Sequence, residues 1–126
     1  MSSSNAEAPG LTDLFSLKGR TALVVGGAGL LGGQISSAFA ELGAELVIAS
    51  RDRAKCEAFG ERLRGQFPGV KTHALEVDIT RPDSIQAMIR DTEKHVGALD
   101  ILVNSGWSGR KNTFESISDA DWDLDI

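Results

Sequence analysis

The sequence predicts an α/β domain: an incomplete, doubly wound parallel sheet of four strands in the order 3-2-1-4. Three observations carry this. Short apolar runs alternate along the chain with stretches of helical periodicity, the mark of strand–helix–strand units. The runs at 21–25 (TALVV), 45–49 (ELVIA) and 101–103 (ILV) are apolar almost throughout, as strands covered on both faces must be. Finally, the first run stops at a glycine cluster that opens a helix. A chain of 126 residues, 41% apolar and 25% charged, has the size and composition of one globular domain.

Taken in order, residues 1–13 have little to bury and are expected to form a disordered lead, with the domain occupying 14–126. The first strand is 21–25. Leu31, Ile35, Phe39 and Leu42 then recur at helical spacing, Ala38 fills the same face, and Gly43 closes the helix. The second strand, 45–49, precedes a helix over 54–67 that carries Phe59, Leu63 and Phe67 and is stopped by Pro68-Gly69. A third strand covers 70–77. Pro82 begins the next helix, at a first-turn position where its missing amide costs nothing. That helix buries Ile85, Met88, Ile89 and Val96, and Gly97 follows its last turn. Residues 100–104 form the fourth strand. Ser118 caps a last helix with Asp121 as its capping-box partner, and Ile126 falls inside that element.

Charge and cysteine usage exclude several classes. Thirteen basic against 18 acidic residues give a net charge of −5, which argues against a nucleic-acid surface. A single cysteine, Cys56, forms no internal bridge, favours a reducing compartment, and reads as a helix bystander. His73 and His95 have no further ligand at metal spacing, so no metal site is expected. The N-terminus lacks the basic and apolar regions of a secretory signal, and no stretch is long and apolar enough to span a bilayer. The expected location is cytoplasmic.

The chemistry is concentrated in residues 26–33, which hold five of the 14 glycines. Gly27, Gly29 and Gly32 form G-x-G-x-x-G between a strand and a helix, with a second strand closing the unit. A pyrophosphate needs backbone amides at a helix N-terminus, and close approach needs residues without Cβ. The sheet is therefore expected to be Rossmann-type, with Gly26, Gly27, Gly29, Leu30, Leu31 and Gly32 around a dinucleotide. About 20 residues past such a loop stands the residue that reads the adenosine ribose. Ser50 and Arg51 occur there, a hydroxyl and a guanidinium suited to a 2′-phosphate. This favours NADP over NAD, while Asp52, one residue later, keeps NAD as the alternative.

With these residues in hand, the chain resembles the N-terminal half of a short-chain dehydrogenase/reductase from about Phe15 onward. The segment 17–24 (LKGRTALV) resembles the family's lead into its first strand, and the turn from Gly26 to Gly32 resembles its Thr-Gly-x-x-x-Gly-x-Gly motif. Residues 77–80 (VDIT) resemble the segment whose Asp touches adenine, which implicates Asp78 and Ile79. Residues 99–104 (LDILVN) resemble the strand that runs into Asn-Asn-Ala-Gly, which implicates Asn104 and Gly106. The segment 114–123 resembles the approach to the long helix at the subunit interface. Val25 stands where the motif has Thr, Leu30 where it has its middle Gly, and Trp107 where the fourth-strand motif ends in Gly. The resemblance implies an oxidoreductase that moves a hydride between a nicotinamide cofactor and a hydroxyl or carbonyl.

The family's reaction uses a Tyr, a Lys four residues later, a Ser and an Asn, all beyond the matched segment. This chain contains no tyrosine, and reduction of a carbonyl needs a proton donor at the developing alkoxide. Ser105, Ser108, Arg110 and Lys111 are poor replacements, so no catalytic residue is assigned. The chain is expected to hold cofactor without turnover; the alternatives are a non-catalytic dinucleotide-binding or regulatory module, or a glycine-loop domain of an unrelated enzyme. The fourth strand would form an apolar edge open to another chain. About 400 Å² of wet apolar surface forgoes ~10 kcal/mol, so self-association through that edge or the incomplete helix is expected.

Overall fold

Thr21–Val25 (β1) is buried at every position, and both of its edges are taken. In the computed structural model, which describes residues 7–107 and 113–125, β1 is one of the two inner strands of the sheet. Glu45–Ser50 (β2) pairs along one edge, from Thr21↔Glu45 to Val25↔Ala49. Ile101–Asn104 (β4) pairs along the other, from Ala22↔Ile101 to Val25↔Asn104. Thr72–Glu76 (β3) adds to the outer edge of β2, from Leu46↔Thr72 to Ser50↔Glu76. All three pairings are parallel and the order is β3-β2-β1-β4, as the sequence predicts.

Parallel neighbours need crossovers. Leu30–Glu41 (α2), Arg53–Gln66 (α3) and Pro82–Val96 (α4) supply them. Side chains alternate across a sheet, so each strand feeds two cores. Ala22, Val24, Leu46 and Ile48 pack with Ala40 of α2 and with Cys56, Phe59 and Leu63 of α3. Leu23, Val25, Val47, Ala49 and Leu75 face the other way and pack with Val77 and Met88 of α4. Two helices cover the first face. On the second, Leu102, Ile89 and Leu99 remain 57%, 47% and 36% exposed along a groove of about 450 Å³ beside α4.

Local signals explain most boundaries. Pro82 opens α4 as expected. Asp52 caps α3, its Oδ1 accepting the Lys55 amide at 3.0 Å, which moves that helix start back to Arg53. Asp100 immediately precedes β4, its amide donating to the Thr21 carbonyl at 3.0 Å and its Oδ2 accepting the Thr21 amide at 2.9 Å. Ser118 caps Asp119–Asp125 (α5), accepting the Asp121 amide at 3.1 Å and donating to the Asp121 carboxylate at 2.8 Å. One helical turn, Leu11–Leu14 (α1), lies across the end of the expected lead and buries nothing; residues 1–6 of that lead lie outside the described residues.

Two apolar stripes differ from the periodicity. In α2 the buried positions are Gly32, Gly33, Ser36 and Ala40, with Phe39 only partly buried, while Leu31 is 68% exposed. The helix starts so close to β1 that only small residues fit against the turn, and this rotates the larger apolar side chains outward. In α4 Thr92 replaces Ile89 in the core, its hydroxyl donating to the Met88 carbonyl at 2.8 Å.

Candidate functional site

β1 ends at Val25 and the chain turns through Gly26–Gly29 into α2. Two glycines make this turn possible. Gly26 has φ +79°, and a Cβ there would lie 2.7 Å from the Ser105 carbonyl oxygen at the end of β4. A Cβ on Gly32 would overlap the Gly26 carbonyl outright. The turn is tied from beneath by buried Ser36, whose hydroxyl donates to the Gly27 carbonyl at 3.0 Å.

The start of α2 is left open. Gly29 is its N-cap and offers no side-chain cap, and the first turn carries no acid. The amides of Leu30, Leu31 and Gly32 have no carbonyl one turn earlier in the helix to bond, and the helix dipole adds positive potential there. By contrast the neighbouring α3 is closed by Asp52.

The turn borders a cleft of about 290 Å³ at the carboxyl ends of the strands. Gly26, Ala28 and Gly29 form one wall, Val77, Ile79, Ser105, Gly106 and Trp107 another, and Ser50, Arg51 and Lys55 the far end. Among the described residues no carboxylate lines it, whereas two cations do. A glycine turn packed tightly against the strand ends, an uncapped helix end and two cations suit a diphosphate and a further phosphate.

The residues singled out from the sequence divide by position. Gly26, Gly29, Ser50, Arg51, Ile79 and Gly106 line the cleft. Gly27 and Gly32 sit under the turn, where Cβ atoms would strike the Val24 and Gly26 carbonyls. Leu30 is 93% exposed and borders a second groove, between α2 and α3. Leu31 projects from the same first turn, 68% exposed. Asp78 follows Val77 at the cleft rim without lining it. Its Oδ1 accepts the Thr80 hydroxyl at 2.6 Å and the Thr80 amide at 3.0 Å, and these bonds hold its carboxyl below the ordinary value. Asn104 lines the apolar groove beside α4, on the far side of the sheet from α2. Ser108, Arg110 and Lys111 lie outside the described residues.

Lys55, Ala28, Ser36 and the role of Asp52 escape the sequence reading. An Asp directly before a helix is a legible N-cap signal. Lys55 becomes visible only when α3 folds against the cleft. Cys56 is also more than a bystander in position: it is fully buried, 3.1 Å from the Ser50 hydroxyl, and burial pushes its thiol pKa up. His73 and His95 stack with ring centroids 5.0 Å apart, and His73 Nε2 meets Glu45 at 2.8 Å. Among the described residues no group of three His, Cys, Asp or Glu side chains is placed to hold a metal ion. No described helix is long and apolar enough to cross a membrane.

The model of one family, described as short chain dehydrogenase, matches residues 20–125. Sorbose reductase of Candida albicans is 38% identical over 95 residues, covering 75% of this chain and 33% of that protein. The 5-keto-D-gluconate 5-reductase of Escherichia coli is 28% identical over 112 residues, covering 89% and 43%. Among solved structures, L-sorbose reductase of Gluconobacter frateurii, complexed with NADPH and L-sorbose, superposes with a TM-score of 0.75 at 26% identity, covering 87% of this chain and 41% of that one. An NADPH-bound short chain oxidoreductase of Pseudomonas aeruginosa gives 0.76 at 29% identity, covering 86% and 42%. The chain thus spans less than half the length of each of these proteins.

Proposed function

The chain belongs to the short chain dehydrogenase family, and from that premise we propose that it binds a nicotinamide dinucleotide, NADP in preference to NAD, for an oxidoreductase acting on a hydroxyl or carbonyl. The observation that carries this reading is the uncapped start of α2, facing a cleft that no carboxylate among the described residues lines and that has Arg51 and Lys55 at its far end. The diphosphate is held by the amides of Leu30, Leu31 and Gly32, with Gly26, Gly27 and Gly29 giving it room. Ile79 and Gly106 flank the adenosine, with Asp78 at the rim, while Asn104 faces the groove beside α4 and is given no contact with the adenosine. When bound, the nicotinamide supplies or takes the hydride. The chain has no tyrosine, and we place no proton-transfer residue in it.

Two similar structures carry NADPH, which supports the preference for the phosphorylated cofactor. Asp52, the one acid that would favour NAD, is engaged as the cap of α3. A cytoplasmic location fits the single, free thiol. Self-association fits the open edge of β4 and the exposed Leu102.

The test is calorimetric titration of the full chain with NADPH and with NADH. Saturable NADPH binding, about tenfold or more tighter than NADH, is expected from one added charge-assisted contact. Equal affinity removes the NADP preference. Absence of binding by both nucleotides overturns the reading.

A further inference from the structure

We infer that Lys55 holds the 2′-phosphate of the dinucleotide and that Ser50 shapes the seat without binding it; this rests on the NADP reading above. Lys55 stands in the first turn of α3, where the cleft meets a second groove of about 350 Å³ between α2 and α3. Ala28, Gly29 and Lys55 border both cavities, and Lys55 is the one charged group common to the two. Its ammonium takes part in none of the ion pairs among the described residues, which engage Arg20, Arg64, His73, Arg81 and Lys94. A cation without an acidic partner, at the end of a cleft with no carboxylate on its walls, is poised for an anion from outside.

The Ser50 hydroxyl is differently placed. It accepts the Asp52 amide at 3.1 Å, and it lies 3.1 Å from both the Asp52 carbonyl, to which it donates, and the Cys56 sulfur. A hydroxyl has one proton to give, and a phosphate dianion offers only acceptors. To serve the phosphate, Ser50 must abandon a bond that closes the β2–α3 turn. That turn in turn sets Asp52 as the cap of the Lys55 amide, so Ser50 and Asp52 together fix where Lys55 leaves the helix. Arg51 and Lys55 then approach one phosphate as two cations, with Ser50 positioning them.

The test separates the 2′-phosphate from the rest of the cofactor. Adenosine 2′,5′-bisphosphate and adenosine 5′-monophosphate are titrated into the full chain and into Lys55→Ala, Lys55→Met, Arg51→Ala and Ser50→Ala. Lys55→Met keeps the aliphatic stem, and circular dichroism confirms that each variant is folded. Both Lys55 variants should lose about tenfold or more in affinity for the bisphosphate and keep their affinity for the monophosphate. Ser50→Ala should weaken the bisphosphate by less than either. If the parent chain does not prefer the bisphosphate, the NADP reading itself fails. If it does, and both Lys55 variants keep the preference while Arg51→Ala loses it, the assignment of Lys55 is overturned and the NADP reading stands.

Discussion

Replacing Gly26 by alanine should be one of the most costly single-methyl additions in this chain, and its magnitude can be worked from two glycines of matching conformation. Gly26 has φ +79° and Gly19 has φ +77°. A Cβ in this left-handed region costs about 1–2 kcal/mol at either position. Around Gly19 nothing lies within 4 Å, so the conformational cost is the whole cost. At Gly26 the added carbon meets the Ser105 carbonyl oxygen at 2.7 Å, its carbon at 2.8 Å and the Gly106 nitrogen at 3.0 Å. These are backbone atoms held in place because the Ser105 amide donates a hydrogen bond to the Val25 carbonyl at 2.9 Å, so the turn and the β4 end must part. Overpacking of this kind adds about 1–3 kcal/mol, for a total of about 2–5 kcal/mol at Gly26. With a urea slope of about 1–3 kcal/mol per molar, the extra cost of about 1–3 kcal/mol should put the Gly26→Ala midpoint roughly 0.3–3 M below that of Gly19→Ala. Far-UV circular dichroism reads both transitions. NADPH affinity should fall only in the Gly26 variant. Equal midpoints for the two variants would refute the close approach of the glycine turn to the end of β4.

Other outcomes follow from single contacts. Ser36→Ala leaves the buried Gly27 carbonyl without its 3.0 Å hydrogen bond and should cost about 1–3 kcal/mol, read as a lower urea midpoint; an unchanged midpoint would show the bond to be dispensable. Cys56 is fully buried with its pKa raised above 9.0, so the folded chain should react slowly with a thiol reagent at pH 8 and quickly in denaturant; fast labelling of the native chain contradicts this. The sign follows: stability from keeping this thiol neutral holds below the unfolded value and fades as pH rises through the folded one. Asp78 behaves oppositely, since Thr80 holds its carboxyl below 3.8: its contribution is present above that value and is lost as pH falls through the lower folded pKa. Thr80→Val should therefore raise the Asp78 titration midpoint seen by NMR, and an unmoved midpoint would reject the hydroxyl bond as the leading cause. Leu102→Lys, on the open β4 edge, should lower self-association measured by sedimentation, and an unaltered oligomer would place the contact elsewhere.

The strand order, the parallel pairing and the glycine turn were legible because each is written in local pattern. Continuous apolar runs mark two-faced strands, and the glycines at the strand–helix junction mark positions, Gly26, Gly27 and Gly32, where a Cβ would strike backbone. The cleft-lining positions were half legible. Ser50 and Arg51 lie at the end of β2, where the pattern directs attention, whereas Lys55 lies a helical turn beyond it. Asp78 follows β3 and Asn104 ends β4, but Thr80 bonds the carboxylate of the first and the groove beside α4 receives the second. The α2 stripe was misjudged for a physical reason. Hydrophobic periodicity locates the greasiest face, yet α2 packs by its smallest face, because Gly32 has to meet the Gly26 carbonyl.

By itself, then, the sequence determined the four strands, their order and the glycine turn after the first of them, since these depend on residues adjacent in the chain. Tertiary structure alone decided which groups share the cleft, how Ser50 and Cys56 come within 3.1 Å, and which apolar side chains stay wet. Those outcomes depend on the separation of packed elements, and a helix that closes to backbone contact at one end leaves its larger side chains no interior to enter.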